Sequence, residues 1–427
     1  MVPDADSSLS RRQFLVTGGA TIGAIGLGLG LTVSARRSTS SSTRPAGRQS
    51  CPDSAPSWPM VAHDPGQTGF AAGTSGPIDD VEVRWKRRLE VPFGVFHPQS
   101  PVVADGIVYA VGEELVAVSA GDGTTVFGLD RTFGATPAIA PVPAYRTPTV
   151  ALPAGRRTIG LHGSGGVRFR GTEFGATRWT ASPSSSKRIR FDMFGSRATS
   201  PIAADGTVVS FVGGALSSID ASSGEIRWQL PEAYGRPAIR DGYLYAICDD
   251  DILQQIDLET GARTDLVRAD SIRSITATPR RLVVKGIHGL VGISYEGAIE
   301  WRFDPEEYYL PDQNVSVAEG VVYVGSETSD ARRLLALDAE DGSILWEAPV
   351  DVCRSDVLTP PAVSDDMVYV PTEMGELAGV DRTDGTVRWR FRHDDEATNW
   401  SAAAIVDDVV YAVAMGRSDY LYALVEP

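Results

Sequence analysis

Lysine is almost missing from this chain of 427 residues: Lys86, Lys187 and Lys285 are its only three. Asparagine is scarcer, with Asn314 and Asn399 alone, and there are three cysteines and five histidines. These shortages exclude several chemistries. Cys51, Cys248 and Cys353 form no CxxC pair and have no neighbouring histidine, so metal ligation is not indicated, and Cys248 and Cys353 read as buried small hydrophobes. His63, His97, His162, His288 and His393 stand singly, with no HExxH and no GxSxG elbow in the chain. The acidic runs Asp249-Asp250-Asp251 and Asp394-Asp395-Glu396 lack the spacing of a calcium loop and read as solvated acidic loops. No catalytic or metal residue is assigned.

Positive charge is also in deficit. Residues 58–427 carry 33 basic and 52 acidic groups, a net of −19 within a whole-chain charge of −16. Such a surface repels a phosphate backbone, which excludes nucleic acid as a partner. The acidic, lysine-poor balance resembles that of proteins from extremely halophilic archaea, where concentrated salt screens self-repulsion. Hydrophobic residues at 42% and charged residues at 22% are ordinary globular values and exclude a collagen, a coiled coil or a wholly disordered chain. The 44 glycines and 27 prolines lie among short Val/Ile/Tyr runs, the punctuation of many turns between short strands.

The chain divides in three. Arg11 and Arg12 directly precede an apolar, glycine-rich run from Phe14 to Val33, which resembles a twin-arginine export signal with a small-residue cleavage site at Val33-Ser34-Ala35. Residues 1–35 are therefore expected to be a signal peptide or, left uncleaved, a signal anchor tethering the chain to a membrane. Residues 36–57 form a Ser/Thr/Pro-rich linker with no hydrophobic pattern. Residues 58–427 are the globular domain.

Within that domain a glycine stands four residues before a tryptophan or its replacement at seven places: Gly123/Phe127, Gly175/Trp179, Gly224/Trp228, Gly261/Asp265, Gly297/Trp301, Gly342/Trp346 and Gly385/Trp389. Their separations of 52, 49, 37, 36, 45 and 43 residues are too short for separate domains and suit a four-stranded blade. Asp220, Asp257, Asp338 and Asp381 each lie four before the glycine, the chemistry of a capped tight turn. Upstream, Ser100-Pro101-Val-Val-Ala-Asp105-Gly106, Ser200-Pro201-Ile-Ala-Ala-Asp205-Gly206 and Arg236-Pro237-Ala-Ile-Arg-Asp241-Gly242 read as strand, Asp-Gly hairpin, strand. At the C-terminus, Tyr420 to Val425 matches a third strand with no fourth after it, while Val83-Arg84-Trp85-Lys86 supplies a tryptophan strand with no blade before it. The fold expected is all-β: an eight-bladed β-propeller of four-stranded antiparallel blades, closed by pairing of the N-terminal strand with the C-terminal blade.

Asp-x-x-x-Gly-x-x-x-Trp with Ser-Pro-Val-Val-Ala-Asp-Gly resembles the pyrroloquinoline quinone (PQQ) type propeller repeat over about residues 80–427. The lead-in from Trp58-Pro-Met-Val-Ala-His-Asp64 to Thr68-Gly-Phe70 resembles that of haloarchaeal members. The family includes PQQ-dependent alcohol dehydrogenases and a bacterial lipoprotein, BamB, that helps assemble outer-membrane barrels. The dehydrogenases pair two adjacent cysteines over the quinone, and this chain has no Cys-Cys. The resemblance thus implies a noncatalytic, exported scaffold at the cell surface that binds a protein or small molecule of the envelope, with no cofactor. A PQQ-dependent oxidoreductase using PQQ with calcium is the alternative.

For the binding face, the long loops 180–199, 303–315, 350–358 and 391–400 offer Arg188, Arg190, Tyr308, Tyr309, Arg354 and Trp400. Asn314 and Asn399 both stand in Asn-x-Ser sequons on loops expected to be exposed, and are candidates for N-glycosylation. Gly224, Trp228, Gly297, Trp301, Gly342, Trp346, Gly385 and Trp389 are structural members of the repeat.

Overall fold

A computed structural model describes residues 57–90, 98–169, 172–183, 199–248, 251–268, 272–287, 289–304, 308–310, 314–352, 360–393 and 399–427. The signal region with Arg11 and Arg12, the linker to residue 56, and the loop residues Arg188, Arg190 and Arg354 lie outside them. Every regular element among the described residues is a β-strand.

In chain order the strands group by fours into antiparallel sheets spanning residues 102–129, 138–181, 202–230, 234–268, 272–303, 316–348 and 362–392. A last, five-stranded sheet combines Asn399–Trp400, Ala404–Val406, Val409–Met415 and Asp419–Val425 with the N-terminal strand Glu82–Leu89. There Trp85 stands opposite Ala423 and Arg87 opposite Leu421, the pairing expected from the unmatched strands at the two ends of the repeat. The fourth and fifth sheets are joined by one parallel bridge between Arg236 and Ser274. The first strands lie beside one another: Val102–Ala104 touches both Ala138–Ala140 and Ala404–Val406, and Ile202–Ala204 touches both Ala138–Ala140 and Tyr234–Arg240. These are the inner strands, and the tryptophan strands are the outer ones.

The turns between first and second strands follow the sequence. Asp105-Gly106, Asp205-Gly206 and Asp241-Gly242 all have positive φ at both residues, the geometry that matches strand twist in a two-residue hairpin. In the outer turns, Asp220 accepts bonds from the N–H groups of Ser222 and Ser223 and pairs with Arg227 at 2.6 Å. Burial alone would raise the Asp220 carboxyl, but these donors outweigh it and hold it below the usual carboxylate range.

The recurring Gly and Trp act across sheets. Each indole donates to a backbone carbonyl in the outer turn of the following sheet: Trp85 to Ala120, Trp179 to Ala221, Trp228 to Leu258, Trp301 to Ala339 and Trp346 to Arg382, at 2.9–3.1 Å. The ring then lies on that turn's glycine. A Cβ at Gly123, Gly224, Gly261, Gly342 or Gly385 would come within 2.7–2.8 Å of the preceding sheet's tryptophan. The glycine is needed twice over, for a positive φ and for a missing side chain. Within its own sheet the indole lies across a small residue, with Gly160, Gly292 and Gly379 opposite Trp179, Trp301 and Trp389. Trp389 donates to Pro77 of the lead-in instead, because the last sheet has no outer turn of its own.

Two sheets depart from the pattern. In the second, the turn glycine under Phe127 is Gly165, while Gly175 meets nothing within 4 Å. An extra hairpin, Val167–Phe169 with Thr172–Phe174, separates them. In the fourth, Asp265 replaces the indole, and the Leu266 backbone itself approaches to 2.4 Å from where a Cβ on Gly297 would stand. The parallel bridge joins the same two sheets at their inner strands.

A second aromatic column repeats on the second strands. The hydroxyl of Tyr109 donates to Gly163 O (2.6 Å), Tyr411 to Ala120 O (3.2 Å) and Tyr369 to Ser75 O (2.8 Å), but the buried Tyr323 hydroxyl has no partner. Tyr369→Phe is therefore expected to cost about 1–2 kcal/mol, and Tyr323→Phe to be neutral or slightly stabilising, read as urea midpoints.

Candidate functional site

The lead-in, residues 58–77, occupies the inner ends of the sheets. Trp58 exchanges two backbone bonds with Val103 (2.8 and 2.9 Å). The carbonyls of Pro59, Pro65, Gly66, Thr68 and Gly69 accept the N–H groups of Ile139, Ile239, Ala277, Val317 and Val363 at 2.7–2.8 Å. These six donors sit at matching places, near the turn end of six different inner strands, so one segment satisfies a whole tier of inward-facing amides. Its path is held by its own side chains. Asp64 accepts from Thr68 N at 3.1 Å and from the Thr68 hydroxyl, and the buried Gln67 donates to Val61 O and Asp64 O. Ala62, His63 and Gln67 adopt positive φ, and a Cβ on Gly69 would stand 2.3 Å from Ser316 Oγ. Gly73, Ser75 and Ile78 then bond the carboxylates of Asp365, Asp408 and Glu426. Where the lead-in passes the third sheet it leaves a cleft of about 390 Å³ lined by Asp64, Asp205, Arg240 and Asp241.

At the opposite ends of the strands lie Tyr308 and Tyr309, two of the loop residues favoured by the sequence. Tyr309 is 50% exposed and shares two backbone bonds with Glu327 (2.7 and 2.8 Å). Arg332 reaches both Glu327, at 3.6 Å, and Glu373 of the next sheet. Beside Glu373 stands Met374, 59% exposed. Tyr308 donates to Glu347, which also pairs with Arg333 at 3.1 Å. Two exposed apolar side chains thus bracket a chain of Arg–Glu pairs across the sixth and seventh sheets. Tyr308 and Tyr309 were legible as loop aromatics; Arg332, at the start of the strand Arg332–Asp338, and Met374, in a short turn inside a sheet, carry no motif.

Two expected surface positions are interior. Trp400, assigned to the binding face, is 2% exposed, donates to Gly375 O at 2.9 Å and packs on Phe391 and Tyr422. It seals the seam between the seventh and last sheets and is not available for recognition. Asn314, expected on an exposed loop, is 4% exposed with an unpartnered Oδ1, so the folded chain does not present that sequon. Asn399 is partly exposed. Cys248 is buried, as its sequence setting suggested.

On the turn side, the second sheet builds a clamp from the residue before its tryptophan. Arg178 donates to His162 Nδ1 (3.1 Å), Thr149 Oγ1 (2.7 Å) and Thr147 O (2.8 Å), and stacks on Tyr145 at 4.1 Å. Tyr145 in turn bonds Ser222 O of the third sheet at 2.8 Å. Burial and then the Arg178 charge lower the His162 pKa below its usual value, so the bond requires neutral imidazole. Below about pH 6.5 the unfolded chain takes up a proton that the folded one resists, so this contribution is present above that pH and is lost as pH falls. Urea midpoints between pH 7.5 and 5 should therefore decline, and His162→Gln should flatten that decline.

Among the described residues no group of three His, Cys, Asp or Glu side chains is placed to hold a metal ion, and no helix is long and apolar enough to cross a membrane.

The profile of the family described as "Outer membrane protein assembly factor BamB" matches residues 70–264 and 289–423. A BamB protein of Yersinia pestis is 34% identical over 133 residues, 29% of this chain and 31% of that one, so the matched stretch spans about a third of the relative. Among solved structures, BamB from Moraxella catarrhalis superposes with a TM-score of 0.54 at 12% identity, covering 81% of this chain and all of that one. A quinohemoprotein alcohol dehydrogenase from Pseudomonas putida HK5 gives 0.60 at 12% identity, covering 87% and 81%. At such identity these structures share a fold, the β-propeller, and nothing finer.

Proposed function

Because the chain belongs to the family described as outer membrane protein assembly factor BamB, we propose that it is a noncatalytic β-propeller scaffold that docks proteins of the cell envelope. In this reading the sheets form a ring of eight blades, closed where Glu82–Leu89 joins Asp419–Val425. The twin-arginine pair Arg11-Arg12 exports the chain, and the linker holds the domain at the cell surface.

One observation carries the scaffold reading: the lead-in fills the inner ends of the blades with backbone bonds to six of them. A segment bonded so closely leaves recognition to loops and outer edges. The Tyr309–Arg332–Met374 patch has the aromatic, arginine and methionine content of protein-binding surfaces. The quinone alternative lacks support in the residues. No two cysteines are adjacent.

The test is cross-linking in intact envelopes with wild type and a Tyr309→Ser/Met374→Ser variant, both exposed and thus neutral for folding. Loss of specific cross-linked species at unchanged Tm is expected. Unchanged cross-linking, or a quinone chromophore with dye reduction after PQQ and calcium are added, would refute it.

A further inference from the structure

Among the described residues, every outer strand leaves one row of backbone N–H and C=O groups without a neighbouring strand. Glu82–Leu89 differs from the rest. It has eight residues, against five or six in Thr125–Leu129, Thr177–Ala181, Ile226–Leu230, Arg263–Arg268, Ile299–Phe303, Ile344–Ala348 and Val387–Arg392. Four of its eight side chains are cationic: Arg84, Lys86, Arg87 and Arg88. Most arginines of the other outer strands are matched: Arg227 by Asp220, Arg263 by Glu232, Arg388 by Asp381, and Arg390 and Arg392 by Glu376. Arg178 is held instead by His162, Thr147 and Thr149, and Arg268 and Arg302 are exposed single exceptions. Arg84, Arg87 and Arg88 are exposed and make no ion pair among the described residues. Lys86 is drawn over the rings of Tyr420 (5.1 Å) and Tyr422 (5.9 Å), which leaves the three arginines as the free cations of the strand.

Three arginines left together without counter-charge are unexpected on a domain with a net charge of −19, where carboxylates outnumber bases. We propose that the free edge of Glu82–Leu89 receives an extended acidic segment of a partner protein as an added strand, with Arg84, Arg87 and Arg88 pairing its carboxylates. Main-chain bonds supply affinity in strand addition, and the side chains select the partner. Guanidinium suits that choice, because its fork takes a carboxylate in two parallel bonds. A second copy of this chain does not fit. Two such strands side by side in antiparallel register set arginine against arginine, and the two bodies repel through their net charge. The proposal rests on the scaffold reading and names one docking edge for it.

The test uses the full chain and an acetylated, amidated eight-residue peptide in which pairs of glutamates alternate with single valines, so that an extended strand carries carboxylates on both faces as Arg87 and Arg88 require, with the corresponding lysine peptide as its counterpart. The glutamate peptide is expected to bind at least tenfold more tightly than the lysine peptide and to slow amide exchange across residues 82–89 at least tenfold. N-methylation of alternate peptide amides should abolish that protection. An R84E/R87E/R88E variant, with exposed sites and unchanged melting, should reverse the preference. Equal binding of both peptides, protection elsewhere, or insensitivity to N-methylation overturns the proposal. A merely protective edge, which binds neither peptide, overturns it also, as does capture of phosphatidylglycerol vesicles without peptide binding. If envelope cross-linking survives in the triple variant but fails in the Tyr309/Met374 variant, this edge is refuted while the scaffold reading stands.

Discussion

Removal of residues 58–77 is expected to abolish cooperative folding of the domain. The deletion takes away the acceptors of Val103, Ile139, Ile239, Ala277, Val317 and Val363 together. Each buried N–H left without a partner costs about 1–3 kcal/mol. The loss of Trp58 and Met60 from the core adds roughly 2–5 kcal/mol for each large side chain. A domain holds only about 5–15 kcal/mol in all, so the remaining sheets should lack a stable packed state. Near-UV circular dichroism and a urea titration decide the matter. A sigmoidal unfolding curve within about 2 kcal/mol of the intact chain would show that the lead-in is decoration.

Trp85→Ala is the largest single substitution effect expected, about 3–5 kcal/mol. Its indole bonds Ala120 O at 3.0 Å, covers Gly123 and meets Tyr411 at 5.9 Å between ring centres, so it fastens the last sheet to the first. Trp228→Ala removes the same bond at an interior seam, from a side chain that is less deeply buried, and should cost less. The two variants should also differ in where they loosen. Amide exchange should rise at Asp419–Val425 in Trp85→Ala and stay slow there in Trp228→Ala. Equal cost and equal exchange would mean that the seam joining the two ends carries no special burden.

The repeat, the Asp-Gly turns and the partnership of residues 83–86 with 420–425 were readable because each is a matter of local chemistry recurring at a spacing. What the tryptophan does was not readable. Trp179 and Gly224 are 45 residues apart and meet only when two sheets stack, whereas spacing groups Trp179 with Gly175 and Gly224 with Trp228, without saying that the indole of one unit covers the glycine of the next. Asn314 and Trp400 look like loop residues beside charged neighbours. Asn314 is buried just ahead of the inner strand Ser316–Ala318, and Trp400 in the short strand Asn399–Trp400 beside Val409–Met415, surroundings that only the assembled sheets create. The lead-in could be likened to other lead-ins, yet nothing in Trp58 to Phe70 is periodic, since its carbonyls are spaced by the positions of six strands and not by its own geometry. Arg178 in the second sheet is hidden similarly, as one more arginine beside a tryptophan, until Thr147, Thr149 and His162 converge on it.

The bonds of residues 58–77 have a consequence for timing. Their partners include Val363 and Asp408, and the neighbouring Ile78 reaches Glu426, just beyond the last strand of the last sheet. Chains emerge from the ribosome N-terminal end first, so the part of this domain that is made earliest is the last that can settle. Until the last sheet has been made it must wait, with Trp58 and Met60 unburied, while the sheets it will lock are still being made.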